Sequence, residues 1–331
     1  MSLSYPYTPF PFNVTPISPP FQLSPVASNT SLGWVPSCAT PECIPTASWS
    51  TSAINSTLSF RYWGVGLALD GNVTGNMSVR LHRDGVEAAW SPSGDTLFSL
   101  LGAPTDQFYL HNITLQVLDA SPDAQLTIIR ARVNGSSFSS AYFSADRWMI
   151  PSNDDSLKYT GFVPQASVAR VESSTTYVSS MAGDSLSMQW NASSFLVYGP
   201  CGPTNALIRV TIDSQQRIQQ QTVNTSTPFV SNDCLLFQAW GLPIPLRSQI
   251  LIENVDGGML SIDRFDAFRV QIYSKGASSV KRATIIACAM LGAIGLSAVT
   301  IIVYTRRKLR AQQEGGRPLA IRGWSKLLCL K

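Results

Sequence analysis

The chain has 331 residues, a length that suits two ordinary domains better than one. Hydrophobic residues make up 44% of it and exclude wholesale disorder, while charged residues make up only 13%. The net charge of +4 is unevenly spread, because residues 1–282 are net acidic and residues 305–331 carry eight basic side chains against one glutamate. The large N-terminal part is therefore not expected to bind nucleic acid.

Residues 1–28 are rich in proline and serine and are predicted to be irregular rather than helical. They have neither a basic start nor a continuous apolar run, so they do not form a signal peptide. We expect either a true start upstream of Met1 or export driven by the C-terminal apolar segment. The competing topology is a tail-anchored protein with a cytosolic N-terminus.

Residues 29–137 show short apolar runs separated by Gly, Pro, Asn and Asp, which predicts a first β-sandwich. Leu58, Phe60 and Tyr62 occupy alternate positions, as in a strand with one buried face. The Asp84-Gly85 dipeptide predicts a tight hairpin, because both residues tolerate the positive φ of a type I′ turn.

A second β-sandwich is predicted at residues 157–273, after a linker at 138–156, because the first segment recurs there. Residues 32–36 resemble residues 160–164 at an offset of 128. Later matches keep their order, and the offset changes only by loop-sized steps. The pattern indicates an internal duplication.

Residues 274–282 are a short stalk, and residues 283–304 have no charge and no proline over a length that can cross a bilayer as a helix. The basic segment 305–331 follows, so the positive-inside rule predicts a cytosolic tail and an outside location for residues 1–282. We expect a single-pass protein of the plasma membrane or another secretory-pathway membrane, with the lipid bilayer as a partner. A buried core helix is the alternative, and it fits this length and these flanks poorly.

Two further features favour an extracellular location. Sequons for N-linked glycans occur only before the apolar segment. They begin at Asn13, Asn29, Asn55, Asn72, Asn76, Asn112, Asn134, Asn191 and Asn224. Four cysteines also precede it, and an even count in an oxidising compartment permits two disulfides. We expect a small loop closed by Cys38 and Cys43, and a longer loop closed by Cys201 and Cys234 that stabilises by about 3 kcal/mol.

The second repeat contains an ordered series of segments that resembles a family. It reads Gly-Asp-Ser-Leu-Ser-Met at 183–188, Leu-Val-Tyr-Gly at 196–199, Ile-Arg-Val-Thr-Ile-Asp at 208–213, Leu-Leu-Phe-Gln-Ala-Trp-Gly-Leu-Pro at 235–243 and Leu-Ser-Ile-Asp-Arg-Phe at 260–265. The series resembles that of fungal, mushroom-type single-pass membrane proteins with a galactose-binding-like ectodomain. The resemblance covers about residues 29–310. It implies a mainly β fold, with two tandem jelly-roll sandwiches plus one C-terminal transmembrane helix, and ligand recognition through loops.

Residues suited to catalysis or metal binding are few. His82 and His111 are the only histidines, so a Ser-His-Asp triad would need one of them, and His82 is predicted to be solvated. Residues 183–186 spell a lipase motif, but no histidine follows them, and we interpret them as the start of a strand. The nearest approach to a calcium cluster is residues 154–155, or Asp263 with Asp266, and no loop has EF-hand spacing. We predict no enzyme activity, no metal and no cofactor.

Aromatic side chains are natural platforms for sugars, because their faces stack on the CH-rich faces of sugar rings. The candidate ligand-binding residues are Trp63, Trp90, Trp148 and Trp240. Trp63 is the best of them, because it points away from the buried set that includes Tyr62. Core or inter-domain packing is the competing interpretation for each, and Trp190 is assigned to the core.

The leading hypothesis is a cell-surface glycoprotein that recognises a ligand without catalysis, with a cell-wall glycan as the expected ligand. The alternative is a structural or adhesive surface stalk with no small-ligand site. A cleft that contains Trp63 or Trp240 would favour binding, and fully packed tryptophans would favour the stalk. Another surface protein is a further candidate partner, and the small residues Ala289, Ala293 and Ser297 permit a homodimer through the membrane helix.

Overall fold

The computed structural model describes residues 12–64, 66–100, 109–134, 143–166, 175–192, 194–214, 218–240, 247–272 and 297–310. The chain divides into two compact units, residues 1–272 and residues 273–331. The described part of the first unit is built almost entirely of antiparallel strands that form two sandwiches. The prediction of a mainly β-sandwich protein is therefore confirmed.

The first sandwich consists of two sheets that share one core. Its strands are β1 (Phe12–Val14), β2 (Phe21–Ser24), β3 (Val35–Pro36), β4 (Trp49–Thr51), β5 (Thr57–Gly64), β6 (Gly66–Thr74), β7 (Met77–Arg83), β8 (Val86–Ala88), β9 (Thr96–Leu100), β10 (Tyr109–Ala120) and β11 (Gln125–Asn134), with a 3₁₀ turn at Ile44–Thr46. One sheet has the order β3-β4-β11-β6-β9, with β1 also paired to β11, and the other has the order β2-β5-β10-β7-β8. Leu58, Phe60 and Tyr62 are buried, as their alternation predicts.

The predicted hairpin joins β7 to β8. Asp84 and Gly85 have φ angles of 54° and 83°, so both central residues lie in the left-handed region that a type I′ turn requires. The carboxylate of Asp84 also accepts a hydrogen bond from the backbone N–H of Asn112 at 2.8 Å. This contact ties the turn to the neighbouring strand β10.

The second sandwich follows in the same manner. Its strands are β12 (Phe143–Pro151), β13 (Lys158–Thr160), β14 (Val163–Ala166), β15 (Thr175–Ser179), β16 (Ser185–Trp190), β17 (Ser194–Cys201), β18 (Leu207–Asp213), β19 (Ile218–Asn224), β20 (Ser231–Trp240), β21 (Ser248–Asn254), β22 (Leu260–Ile262) and β23 (Arg264–Ile272). The sheets have the orders β12-β23-β17-β20, β13-β16-β21-β18-β19 and β14-β15-β22. Leu186, Met188 and Trp190 are buried in the core.

The two sandwiches have the same strand order. The sheet β2-β5-β10-β7-β8 of the first corresponds strand by strand to β13-β16-β21-β18-β19 of the second. In the opposite sheets, β11-β6-β9 corresponds to β23-β17-β20. A shared topology of this kind is what an internal duplication produces.

A packed seam joins the two sandwiches, where the outer face of the β12-β23-β17-β20 sheet meets the first sandwich. The backbone N–H of Leu235 donates to Ser18 Oγ at 3.1 Å, and both residues are buried. Trp49 of the first sandwich meets Phe229 of the second edge to face, with ring centroids 5.6 Å apart. Because buried groups of both sandwiches pair directly, the seam is part of one compact unit.

Two segments that the sequence assigned to an irregular N-terminus and to a linker contain strands. β1 and β2 lie within residues 1–28, and β12 lies within the predicted linker 138–156. Phe21 of β2 stacks on Phe60 with 4.3 Å between ring centroids, and this burial outweighs the surrounding prolines. All three strands lie at sheet edges, where short or proline-flanked strands are tolerated.

Both predicted disulfides are present. The Cys38–Cys43 bond closes a short loop beside the 3₁₀ turn, with Cα atoms 6.2 Å apart. The Cys201–Cys234 bond links β17 to β20 across a separation of 33 residues, with Cα atoms 6.0 Å apart. Cys201 and Cys234 are buried in the sheet that forms the seam, so this bond reinforces the wall of the interface.

The second unit is described only as a helix over residues 297–310. This helix contains the end of the predicted span 283–304, but the rest of that span lies outside the described residues, as do Ala289, Ala293 and the stalk at 274–282. No helix in the described part of the chain is both long and apolar enough to cross a membrane. The membrane span and the homodimer through it stay predictions.

Candidate functional site

A cleft of about 430 Å³, here called the seam cleft, lies between the two sandwiches. The first sandwich contributes Phe12, Asn13, Thr15, Pro45 and Thr46. The second contributes Arg147, Tyr198, Asp233, Arg264 and Asp266. Binding sites are typically concave and contain a few convergent polar groups, and this cleft combines four charged side chains with a tyrosine.

Strand geometry places these polar groups on one face. Tyr198 in β17 lies directly opposite Arg264 in β23, and Arg147 in β12 lies opposite Phe268. Opposed residues of neighbouring strands share a face, and so do residues two apart on one strand, which adds Asp266. The groups therefore face the first sandwich rather than the core of their own sandwich.

Two ion pairs hold the side chains of the cleft in position. Arg147 Nη2 lies 2.8 Å from Asp266 Oδ2, and Arg264 Nη1 lies 2.8 Å from Asp233 Oδ1. The Arg264 guanidinium also stacks over the Tyr198 ring, 4.1 Å from its centroid. The side chain of Arg264 is 11% exposed and that of Arg147 is 57% exposed. The mostly buried Arg264 side chain therefore holds Asp233 and Tyr198 in place, whereas the Arg147 guanidinium is open to solvent.

The surroundings fix the protonation states of two of these groups. Burial raises the pKa of Tyr198 well above its usual range, and the nearby Asp266 carboxylate adds to the shift. Burial opposes the charge of Arg264, but the hydrogen bond and charge of Asp233 outweigh it and raise the pKa of that guanidinium. The phenol therefore keeps its proton at neutral pH, and the arginine stays charged.

This arrangement suits a neutral, hydroxyl-rich ligand. Two arginines and two aspartates balance in charge, so the cleft has no net preference for an anion or a cation. Guanidinium and carboxylate groups are planar and can pair with two neighbouring hydroxyls at once. The volume also falls within the range of roughly 300–1,000 Å³ that is usual for small-ligand sites.

Trp63 borders a second depression on the same seam, here called the Trp63 groove, with a volume of about 160 Å³. Pro20, Arg61 and Trp63 line it from the first sandwich, and Gln221, Asn224 and Gln238 from the second. Gln238 pairs with the backbone of Trp63 twice: Oε1 accepts from the Trp63 N–H, and Nε2 donates to the Trp63 carbonyl, each at 2.9 Å. The Gln238 amide thus hydrogen-bonds to the backbone of β5 at Trp63, beyond the residues of β5 that pair with β2.

Among the other candidate tryptophans, Trp90 and Trp148 line neither depression. Trp90 is half-buried in a shallow trough with Asn76 and Asp119. Trp148 lies opposite Ala267 on the core-facing side of β12, and its half-buried ring packs against the hydrophobic core. Trp240 is the last residue of β20, and its side chain lies outside the described residues. Of the three tryptophans whose side chains the structure describes, Trp63 and Trp90 line separate depressions and Trp148 lines neither seam depression.

Most sequon asparagines reach solvent. The exposed ones are Asn13, Asn29, Asn55, Asn72, Asn76, Asn112 and Asn224. Asn191 is half-buried, and the side chain of Asn134 lies outside the described residues. Asn13 lines the seam cleft and Asn224 lines the Trp63 groove, so each seam depression has a sequon in its wall.

One histidine forms a buried carboxylate contact that the sequence did not indicate. His111 Nδ1 lies 2.8 Å from Asp84 Oδ2, and its Nε2 lies 3.5 Å from Arg83 Nη2. The ring is fully buried and stacks near Tyr62, with centroids 5.2 Å apart. A sealed imidazole between a hairpin aspartate and an arginine fixes the turn, and it has no open path to a substrate.

The acidic residues considered for calcium are dispersed. Asp154 Oδ1 accepts from the Ser156 backbone N–H, and Asp266 belongs to the seam cleft. Asp263 is buried and accepts a hydrogen bond from the Thr176 hydroxyl. Within the described ranges no three metal-ligating side chains come together.

The predicted strand interpretation of residues 183–186 agrees with the structure. Asp184 accepts a hydrogen bond from Ser179 Oγ at 2.8 Å, and Ser185 is the first residue of β16. The serine therefore begins a sandwich strand, as the alternation that follows it predicts.

Sequence reasoning missed the polar groups of the seam cleft. Arg147 and Arg264 are far apart along the chain, and their shared face depends on pairing between β12 and β23. A weak signal was present, because Arg264 and Asp266 occupy alternate positions in β23 and the residue between them is the apolar Phe265. Alternating charged residues on a strand place polar groups on its outer face, but this pattern does not show what lies against that face.

Comparison with known proteins gives only distant similarity. No family model matches the sequence, and no curated protein matches it significantly. Among solved structures, a Paenibacillus xanthan lyase aligns with a TM-score of 0.29 and 12% identity, over 72% of this chain and 26% of that chain. The CBM22-1–CBM22-2 tandem domain of Paenibacillus barcinonensis Xyn10C aligns with a TM-score of 0.25 and 10% identity, over 82% and 99% of the two chains. A structure of carbohydrate-binding modules from the β-sandwich superfamily aligns with a TM-score of 0.21 and 12% identity, over 80% and 100%.

Proposed function

We propose that the protein is a single-pass cell-surface glycoprotein that recognises a glycan of the cell wall in the seam cleft, without catalysis. The observation that supports this most strongly is the cleft itself. It is charge-balanced, and its polar groups are held by two ion pairs with N–O distances of 2.8 Å. A preorganised polar site loses little conformational entropy when a ligand binds.

The membrane topology within this proposal rests on the sequence. The apolar segment 283–304 and the basic tail favour an outside location for residues 1–282. Seven exposed sequon asparagines are accessible to the glycosylation machinery. We also propose that the sandwiches are galactose-binding-like jelly rolls of the fungal type that the second repeat resembles. The solved carbohydrate-binding modules align with TM-scores too low to add to this argument.

The structural stalk is the second candidate. Trp148 and Trp190 pack in or against the core, which favours a role for these tryptophans in stability rather than in binding. In that case the packed seam would make the two sandwiches one stiff spacer, and the seam cleft would be empty of ligand in the cell.

The test uses the full-length protein in detergent and an array of β-glucan, chitin, xylan and mannan oligosaccharides. Arg147→Lys keeps the positive charge beside Asp266 but removes the planar donor fork, so we expect glycan affinity to fall about tenfold. Arg209→Lys is the matched control, because Arg209 lies 3.8 Å from Glu253 on the other sheet of the sandwich. A flat array response for the wild type would favour the stalk.

A further inference from the structure

The Trp63 groove contains a sequon from one sandwich and an aromatic side chain from the other. Asn224 is the last residue of β19 in the second sandwich, and it is exposed. Trp63 belongs to β5 of the first sandwich, and its half-buried indole lines the same groove. A sugar attached to Asn224 would therefore begin inside the groove, beside the indole.

We propose that the N-linked glycan of Asn224 docks its first sugar in the Trp63 groove and so holds the two sandwiches together at the seam. This inference rests on the outside topology of the proposed function, and it does not depend on any ligand in the seam cleft. The groove provides both kinds of contact that a sugar needs. The indole and Pro20 offer apolar surface to the CH-rich face, and Arg61 and Gln221 offer donors to the hydroxyls.

The size of the groove favours a tethered sugar over a free ligand. A volume of about 160 Å³ lies below the roughly 300 Å³ at which sites for free small ligands usually begin. A covalent tether changes this balance, because it gives the sugar an effective concentration in the millimolar range without any further contact. Contacts too weak to bind a free sugar can therefore keep the attached one docked.

The local structure is compatible with attachment. Asn224 Oδ1 accepts a hydrogen bond from the Ser226 backbone N–H at 2.9 Å, and this contact leaves the side-chain nitrogen to carry the glycan. Ser226 is the third residue of the sequon. The Ser226→Ala variant therefore removes the glycan and preserves both Asn224 and its turn.

The experiment measures how fast an N-glycosidase releases each glycan from the folded, full-length protein, with site occupancy read by mass spectrometry of glycopeptides. Asn72 is the reference site, because it is exposed on β6 and lies outside both seam depressions. We expect release at Asn224 to be about tenfold slower than at Asn72, which corresponds to a docked state favoured by about 1.4 kcal/mol. The Trp63→Leu variant should abolish the difference.

Thermal unfolding provides the second readout. Ser226→Ala should lower the midpoint by about 2–4 °C, whereas the matched control Thr74→Ala, which removes the Asn72 glycan, should leave it unchanged. Equal release rates at the two sites, or an unoccupied Asn224 among occupied sequons, would overturn the glycan inference alone. A protein without any occupied sequon would overturn the outside topology as well. If Trp63→Leu fails to fold, the wild-type rates and the Ser226→Ala midpoint still decide the question.

Discussion

Asp263 gives the sharpest prediction about stability, because it is a carboxyl group sealed inside the second sandwich. Its exposed fraction is 1%, and it accepts a hydrogen bond from the Thr176 hydroxyl. Burial raises its pKa from 3.8 to about 6, against the opposing effects of that hydrogen bond and of Arg264. Asp233 is the other charged group that acts on it, and it adds to the increase.

The magnitude follows from proton linkage. The folded protein keeps the Asp263 proton up to about pH 6, whereas the unfolded chain releases it near pH 3.8. The contribution to stability is therefore fully present below pH 3.8 and is lost as the pH rises through 6. A shift of about two units corresponds to roughly 3 kcal/mol at 1.36 kcal/mol per unit.

The assay compares thermal unfolding of the wild type with that of Asp263→Asn between pH 4 and pH 8. The amide cannot ionise, so only the wild type loses stability as the pH rises. The unfolding midpoint of the variant should therefore rise relative to that of the wild type by roughly 6–12 °C between pH 4 and pH 8. Groups common to both proteins cancel in the difference. Asp155→Asn, which changes an exposed carboxylate of the loop before β13, is the control. If the unfolding midpoints of the wild type and Asp263→Asn change in parallel with pH, the proposed effect of burial on the Asp263 pKa is wrong.

Two further predictions concern the seam. Replacing Cys201 and Cys234 by serine should lower the free energy of unfolding by about 3 kcal/mol, because the bond closes a loop with a sequence separation of 33. Urea denaturation measures this loss, and an unchanged denaturation midpoint would contradict the prediction. Gln238→Ala should lower the free energy of unfolding by about 1–3 kcal/mol. The substitution removes the side-chain amide that hydrogen-bonds to the backbone N–H and carbonyl of Trp63. A red shift of tryptophan emission should accompany this loss, and Gln249→Ala on the outer face of β21 should show neither effect.

Much of the fold could be predicted from local pattern. The alternation of Leu58, Phe60 and Tyr62 specifies which face of β5 is buried, and the Asp84-Gly85 dipeptide specifies a turn. The disulfide partners also follow from simple spacing within each repeat. The strand alternation and the turn depend on residues close together in the chain, so the sequence specifies them directly.

The seam and its depressions depend on distant contacts, and sequence pattern did not reveal them. Proline-rich composition concealed β1 and β2, because edge strands gain their stability from a partner strand and from burial of Phe21 rather than from intrinsic propensity. The ion pair between Arg147 and Asp266 joins residues 119 apart in the chain. The sequence predicted that Trp63 points outward from the core. Only the structure shows that the second sandwich lies against that face.

We propose that residues 1–282 lie outside the cell as a glycoprotein, and the gel mobility of the protein decides this. The native protein is detected with an antibody against the basic tail, and its gel mobility is compared before and after enzymatic removal of N-glycans. We expect a mobility shift equivalent to several glycans. An unchanged mobility would contradict the topology, and with it the cell-surface recognition and the docked glycan of Asn224.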